Sequence, residues 1–296
     1  MLLPAPLVRG DLVRVVAPSG CFDPARFHTG VSLLEAAGLR VAYDDGIFAR
    51  ERYLAGDDAR RLRELEAALA DREAKALWTA RGGYGATRLL PSLPPGPIAS
   101  RRPWLVGFSD TTALHALWAR AGVASLHGAN VTTLATWTEE ARRELVELLL
   151  APSPATYAGT PLRPGPVARG PLLGGNLTVL GAMAGTGALP SWQGAIVLVE
   201  DIGEKPYRLD RTLTQLLQAG AFAGVRGIVI GQLTGCEEPE PPGYTALEVM
   251  TDVLATLGVP ILGGLPIGHD PSSRAVLLGA LAELDTERGE LKVRER

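Results

Sequence analysis

The residue of this chain best placed to act as a nucleophile is Ser109, in the run Trp104-Leu105-Val106-Gly107-Phe108-Ser109-Asp110-Thr111-Thr112. An apolar stretch ends at a glycine, the serine follows, and Asp110, Thr111 and Thr112 form a helix-opening cluster. A serine held between a strand end and a helix start is exposed on one side, and the backbone N–H after it can face a developing oxyanion. The motif departs from G-x-S-x-G, because Thr111 stands two residues after Ser109. A plainer reading therefore stands beside the catalytic one, in which Ser109 and Asp110 only cap the helix.

A serine hydroxyl needs a base within hydrogen-bond reach, and the base needs an orienting acid. There are four histidines. His28 lies in a helical run and reads as a surface residue; His115 lies in the helix after Ser109 and reads as packed or solvent-facing. His127 ends a β-like run, and His269 sits in the loop Gly263-Gly264-Leu265-Pro266-Ile267-Gly268-His269-Asp270-Pro271. These residues alone leave His127 and His269 as equal candidates for the base. The acid belongs at a buried strand end, and Val197-Leu198-Val199-Glu200-Asp201 is the best such place. A carboxylate beside apolar strand residues is costly unless paired, so Glu200 or Asp201 should have a partner; otherwise both are solvated loop residues. Arg81-Gly82-Gly83-Tyr84-Gly85 is neither G-x-x-x-x-G-K-[ST] nor G-x-G-x-x-G, so nucleotide binding is poorly supported. Its glycine pair could bring a backbone N–H to an oxyanion. Arg81 could hold a substrate carboxylate as a bidentate partner or form a structural salt bridge.

The elements that must position these groups alternate. Short β-like runs at 12–17, 40–43, 76–79, 104–108 and 124–127 are separated by helical runs at 24–37, 57–70, 111–121 and 139–150, with a short one at 86–90. Such alternation predicts a parallel sheet with helices on both faces, whose active groups gather at the strands' C-terminal ends. Ser19, Gly83, Ser109 and His127 all follow strand ends. Residues 151–169 are rich in Pro and Gly and read as a connection between a domain of residues 1–150 and one of 170–296. The second half is less regular: strands are expected at 195–199, 227–232, 260–262, 280–285 and 290–294, and helices at 207–218 and 244–257.

The length of 296 residues suits two domains, and 46% hydrophobic with 21% charged residues is a globular composition. A formal net charge of −3 gives no reason to expect a nucleic-acid or membrane partner. The two cysteines, Cys21 and Cys236, make neither a disulfide framework nor a zinc site, and free thiols in a reducing compartment are expected. No H-E-x-x-H pattern occurs, so neither a metal nor a cofactor is expected. The N-terminal residues show no secretory signal and no run of about 18 apolar residues occurs, so a cytoplasmic location is expected.

Taken together, Tyr53-Leu54-Ala55-Gly56-Asp57-Asp58, Arg81-Gly82-Gly83-Tyr84-Gly85, Gly107-Phe108-Ser109-Asp110, Gly174-Gly175-Asn176-Leu177, Glu200-Asp201 followed by Tyr207-Arg208-Leu209-Asp210-Arg211, and Gly268-His269 resemble the LD-carboxypeptidase family of serine peptidases. The matches run in order over nearly the whole chain. The resemblance implies an N-terminal parallel (flavodoxin-like) α/β domain and a C-terminal mixed β/α domain, with the active site between them. It implies a catalytic triad of Ser109 as nucleophile, His269 as base and Glu200 as orienting acid, with the backbone N–H groups of Gly83 and Asp110 as the oxyanion hole. It also implies a small peptide substrate, murein tetrapeptide, losing a terminal D-Ala in cytoplasmic peptidoglycan recycling. Relatives that cleave peptidyl-nucleotide antibiotics of the microcin C type share the triad, so an amidase of that kind is the alternative. A non-catalytic two-domain binding protein would be expected to lack a triad residue. Whether the peptide carries meso-diaminopimelate or Lys, and whether the chain forms a homodimer, stay open.

Overall fold

The computed structural model describes residues 1–237 and 243–294. The first half runs β1 (Leu12–Val16), α1 (Pro24–Ala36), β2 (Arg40–Ala42), α2 (Asp58–Ala70), β3 (Ala74–Thr79), α3 (Gly96–Arg101), β4 (Trp104–Gly107), α4 (Thr112–Arg120), β5 (Ser125–His127) and α5 (Glu139–Leu150). The strands lie side by side as β5-β4-β3-β1-β2, all parallel. That is the flavodoxin-like order, 2-1-3-4-5. Successive strand residues face opposite sides of the sheet. Trp104 and Val106 of β4 join the core that contains Phe27 of α1 and Leu145 of α5, while Leu105 joins the one that contains Leu65 of α2 and Leu114 of α4. Helix starts follow from capping: the side chains of Asp23, Asp57 and Thr138 accept from the first-turn N–H groups of α1, α2 and α5.

The second half runs β6 (Ala155–Ala158), β7 (Thr160–Arg163), β8 (Ala168–Asn176), α6 (Leu177–Ala182), β9 (Ile196–Ile202), α7 (Pro206–Gln218), β10 (Gly227–Thr234), α8 (Ala246–Ala255), β11 (Ile261–Gly263), β12 (Val276–Leu278), β13 (Leu281–Asp285) and β14 (Glu290–Arg294). An eight-stranded sheet is ordered β6-β14-β13-β8-β9-β10-β11-β7, parallel from β8 to β11 and antiparallel in its flanks. The fold is therefore mixed α/β with one mostly parallel sheet and one mixed sheet. Among the described residues no helix is long and apolar enough to cross a membrane.

Three features differ from the expectations. Residues 151–169 are not a bare connection: they hold β6 and β7, the two outermost strands of the second sheet, and the start of β8. The first sheet is not complete within residues 1–150, because β12 pairs antiparallel with β5 and sets Val276 opposite His127. Most telling is β8, whose Gly170, Gly174 and Gly175 look like turn residues. A Cβ on Gly170 would lie 2.0 Å from Gly194 O, one on Gly174 1.9 Å from Leu198 O, and one on Gly175 2.6 Å from Thr112 Oγ1. These glycines mark close approaches of other chain segments, the other use of glycine inside a strand.

The substitution Gly174→Ala should accordingly destabilise the fold by more than about 2 kcal/mol, since the added carbon meets backbone and the residue has a left-handed φ. Urea unfolding measures this; a loss within about 0.5 kcal/mol of the parent, the range of an ordinary surface change, would contradict it.

Candidate active site

Ser109 sits where β4 gives way to α4, in a single 3-10 turn of Ser109–Thr111. Its φ is +62°, a left-handed conformation uncommon for a residue with a side chain. Such a conformation costs about 1–3 kcal/mol and persists only where the surroundings impose it. Here they do. Below the turn, Asn130 Oδ1 accepts from Thr79 Oγ1 (2.6 Å) and from the Phe108 N–H (3.3 Å). A Cβ on Gly107 would lie 2.1 Å from Thr79 Oγ1 and 2.8 Å from Asn130 Oδ1, so only glycine fits above this cluster. The turn leaves Ser109 partly exposed while Asp110 and Thr111 are buried.

His269 and Glu200 meet directly, with His269 Nδ1 and Glu200 Oε2 2.7 Å apart. Glu200 lies within β9 and has no exposed surface. A carboxylate in that place accepts, so Nδ1 carries the proton and Nε2 is the basic nitrogen. His269 Nε2 is buried and has no hydrogen-bond partner among the described residues, Ser109 Oγ included. The His269 ring packs at a tilt of 46° against Phe108, the neighbour of Ser109, with centroids 4.6 Å apart. A second imidazole flanks the acid: His127 Nε2 stands 3.8 Å from Glu200 Oε1, beyond hydrogen-bond length. Burial pushes the Glu200 carboxyl up, but His127 and His269 outweigh it and hold the group down at about 2. Asp201, the other acid considered, is taken up elsewhere: it accepts from Asn176 Nδ2 and from the N–H and hydroxyl of Thr178.

The Arg81–Gly85 loop packs against Ser109. A Cβ on Gly82 would lie 2.9 Å from both Cβ and Oγ of Ser109. The Gly82 carbonyl accepts from the Gly20 N–H at 3.1 Å. A trans peptide then turns the Gly83 N–H the opposite way, and Gly83 itself has φ +100°. Two contacts tether the loop's far end. The Asp110 carboxylate accepts from the Ala86 N–H at 2.8 Å, and the fully buried Arg61 donates to the carbonyls of Gly85 (2.9 Å) and Pro18. Arg81 is exposed and donates to the Cys21 carbonyl. Ser19, Gly83, Ser109 and His127 thus converge at the strands' C-terminal ends. Both cysteines are free and buried. Among the described residues no three His, Cys, Asp or Glu side chains group as metal ligands.

Asn130 and Gln232 were not singled out from the sequence. Gln232 Oε1 accepts from the Asp270 N–H (3.0 Å) and the Ser273 hydroxyl (2.6 Å), and the Gln232 N–H donates to the Ile267 carbonyl (2.8 Å), so β10 grips the loop before and after His269. Gly268 must lack a side chain, because a Cβ there would lie 2.9 Å from Gln232 Cβ and 3.3 Å from Glu200 Oε2. The only sequence signal for either residue is an amide at a strand end, which is too common to select it. His115 is buried, with Nε2 on the Gly107 carbonyl and Nδ1 on Ser125 Oγ, both at 2.8 Å.

A serine in a left-handed turn at the end of a parallel strand, near a buried carboxylate–imidazole pair, is an arrangement that can activate a serine hydroxyl. The chain matches the LD-carboxypeptidase N-terminal domain over residues 13–128 and the LD-carboxypeptidase C-terminal domain over residues 169–284. It belongs to the LD-carboxypeptidase family, and so is a peptidase. It is 39% identical over 298 residues to a putative carboxypeptidase of Synechocystis sp., covering 98% of this chain and 96% of that protein. It is 35% identical over 290 residues to the murein tetrapeptide carboxypeptidase of Pseudomonas aeruginosa, covering 93% and 94%. The crystal structure of muramoyltetrapeptide carboxypeptidase from Oxalobacter formigenes superposes with a TM-score of 0.86 at 27% identity, covering 95% of this chain and 97% of that one.

The buried histidine makes a pH prediction. Burial, and next to it His127, pull His115 from 6.5 down to about 3, against the hydrogen bond to Gly107. The unfolded chain therefore binds a proton that the folded chain refuses across this window. The stability that His115 contributes is full above pH 6.5 and falls as pH drops from there toward 3. Glu200 acts in the same direction lower down, its share being lost as pH falls from 4.5 toward 2. Urea unfolding free energies taken from neutral pH downward should show a shallower loss in His115→Gln than in the parent within the upper window. Equal slopes in the two proteins would count against a buried neutral imidazole.

Proposed function

We propose that the protein is a serine LD-carboxypeptidase that releases the terminal D-Ala of murein tetrapeptide, in the cytoplasmic recycling of peptidoglycan. The observation that carries this reading is the buried 2.7 Å contact between His269 Nδ1 and Glu200 Oε2, which leaves His269 Nε2 as the acceptor beside the nucleophile turn. In the reaction, Ser109 Oγ attacks the carbonyl carbon of the L-centre residue while its proton passes to His269 Nε2. The Gly83 and Asp110 N–H groups receive the oxyanion. Collapse of the tetrahedral intermediate breaks the C–N bond, and His269 returns the proton to the amine of the departing D-Ala. Water then attacks the acyl-enzyme, giving its proton to His269, and the shortened peptide leaves as Ser109 regains its hydrogen. Glu200 orients His269 and stabilises the imidazolium in both halves. Arg81, exposed at the loop's start, is assigned to the carboxylate of the terminal D-residue.

Ser109→Ala and His269→Ala should each lower kcat by roughly 10⁴-fold or more, with the double variant little worse, because such groups act as a unit. Activity of Ser109→Ala within about tenfold of the parent would rule out the serine mechanism, given that magnitude.

The substrate class is tested by following D-Ala release from the tetrapeptide beside its terminal L-Ala epimer and its C-terminal amide, each with and without EDTA. The epimer and the amide should lose most of kcat/KM, because a site built for a charged group leaves its own partners unpaired when the group is gone. Chelation should leave the rate unchanged. Equal rates on all three peptides would indicate a broader amidase, and loss on chelation a metal-dependent one.

A further inference from the structure

Two buried polar atoms of the site have no hydrogen-bond partner among the described residues and stand 3.8 Å apart: His127 Nε2 and Glu200 Oε1. An ionised carboxylate accepts through both oxygens. Oε2 is used by His269, and leaving Oε1 buried and unpaired would cost free energy in a site with no exposure. His127 is fixed where it can answer that need. It closes β5, with its backbone in register with Gly107 on one side and Val276 on the other. The rings of Phe108 and His115 lie against it, with centroids 6.1 Å and 6.0 Å away. A movement of about 1 Å brings the pair to ordinary hydrogen-bond length.

We infer that His127 is a positioning residue for the hydrolysis: its Nε2–H is the second donor to Glu200, through Oε1, and holds the carboxylate in the orientation in which Oε2 meets His269. The inference rests on the triad reading above. The geometry gives the two histidines different tasks. His269 turns Nδ1 to the acid and keeps Nε2 for the proton of Ser109, whereas His127 spends its Nε2 on the acid. The titratable groups that face His127 are His115 from α4, Glu200 from β9 and, across the carboxylate, His269. His115 cannot replace it, because both of its ring nitrogens are engaged, with Ser125 and Gly107.

The test compares His127→Leu, which has no donor, with His127→Gln, whose side-chain amide reaches about as far as Nε2. D-Ala release is measured across the pH range, and folding is checked by melting temperature. His127→Leu should lower kcat about 10- to 100-fold, the size expected when a catalytic group is misplaced by about 1 Å, with KM within about twofold. Its acid limb in kcat/KM should move to higher pH. Without the second donor, the full charge of Glu200 acts on His269 and holds the proton on the base. His127→Gln should regain most of kcat and return the limb toward the parental position. A folded His127→Leu with a parental acid limb, or a Gln variant no better than Leu, would overturn the inference. If His127→Leu does not fold, His127→Asn, whose amide is too short to reach Oε1, takes its place with the same expectations. Ser109→Ala is run alongside: should it keep its activity, the triad reading itself fails, whatever the His127 variants do.

Discussion

A carboxylate with no exposed surface stands toward the C-terminal end of β9, and the free energy of burying that charge organises the site. An ionised group taken out of water must be paired, or it takes up a proton instead. Glu200 lies between two imidazoles, which outweigh the burial and keep it ionised. The pairing has structural consequences well beyond the two residues. His269 has to arrive from a loop with the correct nitrogen toward the acid, and that loop is gripped by Gln232 and passes Glu200 only because Gly268 has no side chain. The same backbone then continues into β12, which docks on β5 beside His127.

Glu200 belongs to the second sheet, Ser109 follows a strand of the first, and His269 lies on the loop between β11 and β12, so the proposed triad comes together only where the two sheets meet. Their junction runs through the elements that carry these residues. The hydroxyl of Thr112, in the first turn of the helix that follows Ser109, accepts from the Asn176 N–H at 2.9 Å, and Gly175 leaves room for that contact. Asn176 in turn sits opposite Glu200 in the β8–β9 register. The helix start, the contact between the two halves and Glu200 are thus linked through a few short steps. Ser109 is held in a left-handed conformation, and the buried Thr79–Asn130 network beneath it supplies contacts that keep the turn in place.

Much of this was legible from the residues. The β–α alternation of the first half matched its five strands and the helices α1, α2, α4 and α5 within a few residues, because those strands are short, apolar and separated by longer helical runs, whereas the six-residue α3 carries no such pattern and was missed. In the second half, β8 and the strands at 155–163 were missed for one reason. Gly and Pro normally report turns, yet here Gly170 and Gly174 report backbone, and Gly175 the Thr112 side chain, passing within about 2–3 Å of where a side chain would be. A pattern along one strand cannot reveal what lies beside it. β12 escaped for a related reason: three residues pair with a strand almost 150 positions earlier, and no local periodicity records that partner.

The sequence by itself determined the turn that carries Ser109, the parallel sheet that presents it, the pair of acids toward the end of β9 and the two histidines worth considering, since each depends on residue type and local spacing. Residue types and spacing left open which acid and which histidine meet; the family resemblance pointed to Glu200 and His269, and only the tertiary structure shows them in contact. Asp201 points to the start of α6 and is satisfied there, while Glu200, one residue earlier on the opposite face of the strand, points to His269. Alternation along a strand puts adjacent side chains on opposite sides, and which side holds the imidazole is set by the docking of a distant loop. Residue types can name the groups that need partners, but the partners are assigned by contacts between segments far apart in the chain.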